Sequence, residues 1–187
     1  MKNVTLLAAV LGLMSLPTGA QVPPAAPTAP GRHPPPADEL PLAVAIDWAQ
    51  ATIAACKANG YDVTATYMNS EGDVKLVLRS DGTQAATVDV GRRKAYTVIK
   101  SGVSSGDFAA SVGFPPGTPI PPAPPGQPRA VPPGPNADPN MIVVAGGLPI
   151  KVNGKVVGAV SASGAPGGEK DAACVQAGLA AIAGKLR

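Results

Sequence analysis

Apolar positions along this chain recur in two periods, and the change from one to the other falls at glycines and prolines. Ile46, Ala49, Ile53 and Cys56 repeat at helical spacing, with Pro41 at the entry and Gly60 at the exit, which predicts a first helix. Tyr61, Val63, Ala65 and Tyr67 then alternate with Asp62, Thr64 and Thr66. Asn69-Ser70-Glu71-Gly72 turns the chain, and Val74, Leu76 and Leu78 alternate again, so a hairpin follows the helix. A second helix is expected over 87–100, with Val88, Ala95, Val98 and Ile99 as its stripe. Ser104 or Ser105 caps a shorter helix before Phe114. Residues 141–145 read as a buried strand and Gly146-Gly147 as a turn. Residues 148–152 and 155–162 flank Asn153-Gly154, the strongest short hairpin signal. Pro149 has no amide to donate, which places it at a strand start or an edge. A last helix begins near Gly168, with Glu169 and Asp171 in its first turn and Lys185 and Arg187 at its end, matching the helix dipole. The order α-β-β-α-(α)-β-β-β-α predicts an α+β fold, an antiparallel sheet covered by helices.

Two other stretches have neither period. Residues 1–20 carry one cation at Lys2, an apolar run from Val4 to Leu16, and Pro17-Thr18-Gly19-Ala20, the order of a signal peptide cleaved after Ala20. The run is too short for a bilayer span of about 20 residues, which predicts no membrane span. No cysteine or twin arginine marks lipid attachment or folded export, so the expected location is periplasmic or secreted. Residues 21–41 form a proline-rich leader, and 115–139 a second proline-rich tract inside the domain at 42–187. Both are expected to be extended spacers, with a docking site for a polyproline-binding partner as the alternative.

Composition adds three constraints. The formal net charge of +3 is mild, and the six aromatic residues are scattered, so no nucleic-acid partner is indicated. The scarcity of aromatics leaves the core to Ala, Val, Ile and Leu. Cys56 and Cys174 lie in predicted helices at opposite ends of the domain. An exported protein permits a disulfide between them, while two buried thiols remain the alternative.

The chemistry is bounded by one absence: the single histidine, His33, sits in the leader, so the domain has no imidazole for base catalysis, zinc or haem ligation. No Cys-x-x-Cys pair, phosphate loop or Rossmann glycine pattern is present, and no metal site is indicated. Three local features remain. Arg79-Ser80-Asp81-Gly82 ends the first hairpin and reads as a surface ion pair in a turn. Arg92-Arg93-Lys94 fans around the second helix and reads as a solvated face. Convergence of Arg79 with one of these cations would hold a carboxylate or phosphate. The glycine-rich stretch from Ser161 to Gly168 is either a plain strand-to-helix turn or a backbone cradle at a helix N-terminus.

The residues from about 42 onward resemble the GlcG-like, HbpS-like haem-binding family, which is related to the C-terminal domain of some corrinoid adenosyltransferases. The resemblance is carried by Ala55-Cys56-Lys57-Ala58-Asn59-Gly60-Tyr61, Val77-Leu78-Arg79-Ser80-Asp81-Gly82, Arg93-Lys94-Ala95-Tyr96-Thr97, Gly146-Gly147-Leu148-Pro149-Ile150, Val157-Gly158-Ala159-Val160-Ser161-Ala162-Ser163-Gly164 and Asp171-Ala172-Ala173-Cys174. It implies a five-stranded antiparallel sheet with flanking helices, self-association as a homo-oligomer, and in some members the binding of haem, haem products or corrinoids. A haem-ligating histidine of some relatives has no counterpart here, so haem would rely on a tyrosine, a hydroxyl or no axial ligand. The expectation is a non-catalytic exported module for a small molecule, with no cofactor fixed by the residues and haem the leading candidate. Arg79, Asp81 and Lys94 are the expected polar contacts, with Gly147, Pro149 and Gly164 shaping the wall. A haem- or corrinoid-processing enzyme and a ligand-free structural oligomer are the two alternatives.

Overall fold

The computed structural model describes residues 39–120, 122–134 and 137–186; the expected signal peptide and nearly all of the leader lie outside the described residues. Helix α1 (Leu42–Ala58) starts where the Pro41 carbonyl accepts the Ala45 amide at 3.0 Å. It ends at Gly60, whose φ of +80° suits glycine. Its buried face is Ala45, Trp48, Ala49, Thr52 and Cys56. This is a rotation from the expected stripe: Ile46 is exposed and Ile53 half-buried, because Trp48 and the small residues beside it take the core side.

The hairpin follows as β1 (Thr64–Asn69) and β2 (Val74–Arg79). Its turn is held by Asn69 Oδ1, which accepts the amides of Glu71 at 3.1 Å and Asp73 at 2.8 Å. Helix α2 (Ala86–Ser101) stops at Gly102 in the left-handed region. Helix α3 (Ser105–Ser111) is capped by the Ser104 hydroxyl, which accepts the Asp107 amide at 3.0 Å. Strands β3 (Gly147–Val152) and β4 (Lys155–Ser163) enclose Asn153-Gly154, both at positive φ as a tight hairpin turn requires. Helix α4 (Gly168–Ala181) and the 3-10 turn Ala183–Lys185 finish the chain.

The sheet has four strands in the order β2-β1-β4-β3, antiparallel throughout. The α+β class and antiparallel sheet stand; the fifth strand does not. Residues 141–145 are irregular because their backbone is bonded elsewhere. The Ile142 amide donates to Thr97 Oγ1 at 2.8 Å, the Met141 carbonyl accepts from Arg93 at 2.6 Å, and the Val143 amide donates to the Ala130 carbonyl at 2.9 Å. Side chains of α2 and the proline-rich tract thus replace a ladder. Burial of Ile142 and Val143 without alternation is what the apolar run reported.

Two layers of helix cover the sheet. Helices α1 and α4 lie on the face of Ala65, Tyr67, Val160 and Ala162, with Trp48 and Val175 in the core between them. Helix α2 lies on the other face, where Met68 and Ala159 meet Ala95 and Val98. Gly91 lets it come close, since a Cβ there would stand 2.9 Å from Thr66 Oγ1, and Ser161 donates to the Gly91 carbonyl at 2.7 Å. Cys56 and Cys174 form a disulfide that joins α1 to α4 across a separation of 118 residues. Closing so long a loop stabilises by up to about 4 to 5 kcal/mol through the unfolded chain. Among the described residues no helix is long and apolar enough to cross a membrane.

Candidate functional site

A cleft of about 450 Å³ opens between α2, the start of α4 and the segment 114–120. Its floor is an ion pair that the fold buries: Lys94 on α2 and Asp171 on α4, 1% and 3% exposed, with Nζ and Oδ2 2.6 Å apart. Lys94 also donates to the Ala162 carbonyl at 2.9 Å, and Asp171 Oδ1 accepts the Ala165 amide at 3.0 Å. The pair therefore ties α2, β4, the glycine-rich loop and α4 together at one point. Burial pulls the Lys94 ammonium below its ordinary value and pushes the Asp171 carboxyl up, and each is opposed by the charge of the other. Such a pair survives because both ions are hydrogen-bonded as well as paired.

Glycines create the space around it. A Cβ on Gly146 would lie 2.7 Å from Lys94 Nζ and 2.8 Å from Asp171 Cβ, and one on Gly147 would lie 2.7 Å from the Lys94 carbonyl oxygen. Gly168 sits against the Ala145 carbonyl and Gly164 against that of Asp62, each too close for any side chain. The first turn of α4, with Gly167, Gly168 and Glu169, borders the cleft, so the positive end of its dipole faces it, offset in part by the Glu169 carboxylate. The opposite wall is apolar: Val90, Phe114, Ile120, Val143 and Val144, with Pro115 and Pro116 at its edge.

Of the residues expected to form a site, Lys94 and Gly164 line this cleft. Gly147 stands directly behind Lys94 and donates its amide to Ser105 Oγ at 2.9 Å. Pro149 lies on the edge strand β3, opposite Ala159, and outside the cleft lining. Arg79 and Asp81 are exposed at the end of β2, the other edge of the sheet; Arg79 donates to the Thr83 carbonyl at 3.4 Å. They do not converge with Lys94. A smaller hollow beside them, lined by Gly82, Thr83 and Gln84, meets the cleft at Thr87 and Gly164. The reading of Arg92-Arg93-Lys94 as a solvated face holds for Arg92, which pairs with Asp89 at 3.0 Å, and fails for the other two, which are buried.

Asp171 is the cleft residue that local reasoning passed over. Its position in a first turn matched a dipole role, and only its meeting with Lys94, 77 residues away, gives it another. As to what the cleft can hold, its lining contains no His, Cys, Met or Tyr among the described residues. The polar groups lining it are the hydroxyls of Thr87, Thr118 and Ser163, the Lys94 ammonium and the carboxylates of Glu169 and Asp171. No group of three or more His, Cys, Asp or Glu able to hold a metal occurs among the described residues. The cleft thus suits a flat apolar body with a polar edge, and its lining offers no strong nitrogen or sulfur ligand to an iron.

Comparison with known proteins accords with this architecture. No curated protein matches the sequence. Among solved structures, a double mutant of HbpS from Streptomyces reticuli superposes with a TM-score of 0.62 at 23% identity, covering 85% of this chain and 99% of that one. The Klebsiella pneumoniae protein ORFY gives a TM-score of 0.62 at 23% identity, over 77% of this chain and 90% of the other. A haem complex of PduOC gives 0.60 at 15% identity, over 77% and 95%. At these identities the likeness is one of fold. The family model described as haem degrading protein HbpS-like matches residues 40–180, the whole of the sheet and its covering helices, and the chain belongs to that HbpS-like family.

Proposed function

We propose that this protein is an exported binding module whose cleft takes up a tetrapyrrole of the haem type. The observation that carries the reading is the cleft itself: apolar walls on one side, a helix N-terminus and glycine-rich loop on the other, and the buried Lys94–Asp171 pair beneath. The macrocycle would lie against Val90, Phe114 and Val143, with its carboxylates turned to the open rim, away from Glu169 and Asp171. Support comes from family membership and from a neighbour of the same fold crystallised with haem. Haem supplies its iron when bound; this chain supplies shape, apolar contact and polar groups for the rim.

Titration with haemin, followed by absorbance, tests this. Saturable uptake near one haem per subunit or per dimer is expected, and a linear, unsaturable response would remove haem from consideration. Since the cleft has no strong iron ligand, iron-free protoporphyrin should bind within about threefold of haemin, a difference under 1 kcal/mol. A preference of about a hundredfold for haemin would mean that an iron ligand comes from outside the cleft.

The family description favours a second reading, oxidative breakdown of the bound haem, with the buried pair beside it as a store of protons. Protein-dependent loss of the haem band with ascorbate under oxygen would support it; return of intact haem supports the binding module. Export follows from residues 1–20 and predicts that the mature chain begins at Gln21 by mass spectrometry of the extracytoplasmic fraction. Self-association is proposed on the exposed Leu42 and Ile46 of α1 and Val74 and Val77 of β2, and sedimentation of the mature chain measures it.

A further inference from the structure

Arg92, Arg93 and Lys94 leave α2 in three directions, and Arg93 turns to the proline-rich tract. It is 3% exposed and donates Nη1 to the Arg129 carbonyl at 2.9 Å and Nη2 to the Met141 carbonyl at 2.6 Å. Burying a guanidinium is costly, and here the return is two backbone carbonyls on either side of the stretch between residues 129 and 141. One helical turn on, Thr97 holds the Ile142 amide, and the Val143 amide reaches back to the Ala130 carbonyl. The same α2 face thus fastens the tract to the segment that follows it.

Packing of Pro132, Ile142 and Val143 accompanies these bonds. A second space of about 590 Å³ lies between α2 and the tract, lined by Arg93, Pro128, Arg129 and Ala130, and only Val90, Ile120 and Val144 separate it from the cleft. The tract borders this space and, next to Phe114, presents Pro115, Pro116 and Ile120 as the cleft wall facing the glycine-rich loop. Prolines hold their own φ, so such a wall loses little freedom when a ligand arrives, provided its ends are fixed.

We propose that the proline-rich insertion is the outer wall of the ligand cleft and that Arg93 is the positioning residue that sets it, and with it the affinity of the cleft. The affinity part rests on the tetrapyrrole reading; the wall part does not. The test uses the whole protein and the variants Arg93→Met and Arg93→Lys. The lysine keeps the charge but cannot reach two carbonyls with one fork. Three quantities are read: the rate of tryptic cleavage after Arg129, hydrogen exchange at the Val143 amide, and affinity for haemin and protoporphyrin.

Both variants should be cut after Arg129 about tenfold faster and exchange Val143 faster, because the clamp holds the tract closed to local opening. Both should bind either tetrapyrrole about tenfold more weakly. Unchanged cleavage and exchange would overturn the positioning role. Faster opening with unchanged affinity would overturn the wall. If the unaltered protein takes up neither tetrapyrrole, the proposed function falls, while cleavage and exchange still decide the role of Arg93. Should circular dichroism show Arg93→Met unfolded, Ile120→Ala decides the wall, since it alters the lining and leaves the clamp intact. Weaker binding with normal Val143 protection supports the proposal, and unchanged binding overturns it.

Discussion

At the scale of single residues, Lys94 and Asp171 carry the strongest consequence. Each is buried and each is held by the other, so removing one leaves an unpaired charge in the core. Lys94→Met should cost about 3 to 5 kcal/mol, whereas Lys94→Met with Asp171→Leu should regain more than half of that loss. Urea unfolding of the two variants measures both. The pH dependence has a definite sign. Burial already raises the Asp171 carboxyl, and the Lys94 charge is the main influence holding it down, so Lys94→Met raises it further. A carboxyl that binds its proton more tightly when folded stabilises fully below its unfolded value and loses this as pH rises through the folded value. The variant should therefore be damaged least below the ordinary aspartate range and increasingly as pH rises through the raised folded value of Asp171. Lys94 was legible in the sequence as a cation on a helix, yet its burial was not. Three neighbouring cations give no local sign of which will be buried, since that depends on what each meets on other elements.

At the scale of elements, patterning alone located almost every helix and strand, because each carries its own period and its own stop. The Asn153-Gly154 hairpin is the clearest case, where two positive φ angles demand those two residues. The exception was 141–145: an apolar run states burial but not the partner of its backbone, and here Thr97, Arg93 and Ala130 are the partners. The contact of α1 with α4 shows the same limit. Gly178 brings the helices so near that a Cβ would strike Thr52 Oγ1, and neither that hydroxyl nor Trp48 Nε1 has a hydrogen-bond partner among the described residues. Thr52→Val keeps the shape and removes the unmet hydroxyl, so it should stabilise by about 1 kcal/mol, or roughly 3 °C in Tm. A lower Tm would mean that the hydroxyl is satisfied in solution.

At the scale of the whole molecule, the cleft is assembled from pieces far apart in the chain, and this separates Lys94 and Gly164 from Arg79 and Asp81. Arg79 ends the outer strand β2 and Asp81 lies in the turn after it. Arg79→Ala should leave tetrapyrrole affinity unchanged, while Gly164→Val, which forces a side chain into the Asp62 backbone at a φ of +142°, should weaken it about tenfold or more. Equal loss in both titrations would bring the hairpin end back into the site. By itself the sequence determined the α+β class, the antiparallel hairpins and the absence of an imidazole from the domain, since periodicity, turn residues and composition act over a few neighbours; the last helix, expected to run to Lys185 and Arg187, stops at Ala181. Only the tertiary structure decided that the sheet closes at four strands and that Lys94 finds Asp171. It alone turned a proline-rich spacer into a wall fastened by Arg93. These outcomes depend on which distant groups satisfy a buried charge or a backbone amide, and no local pattern encodes that.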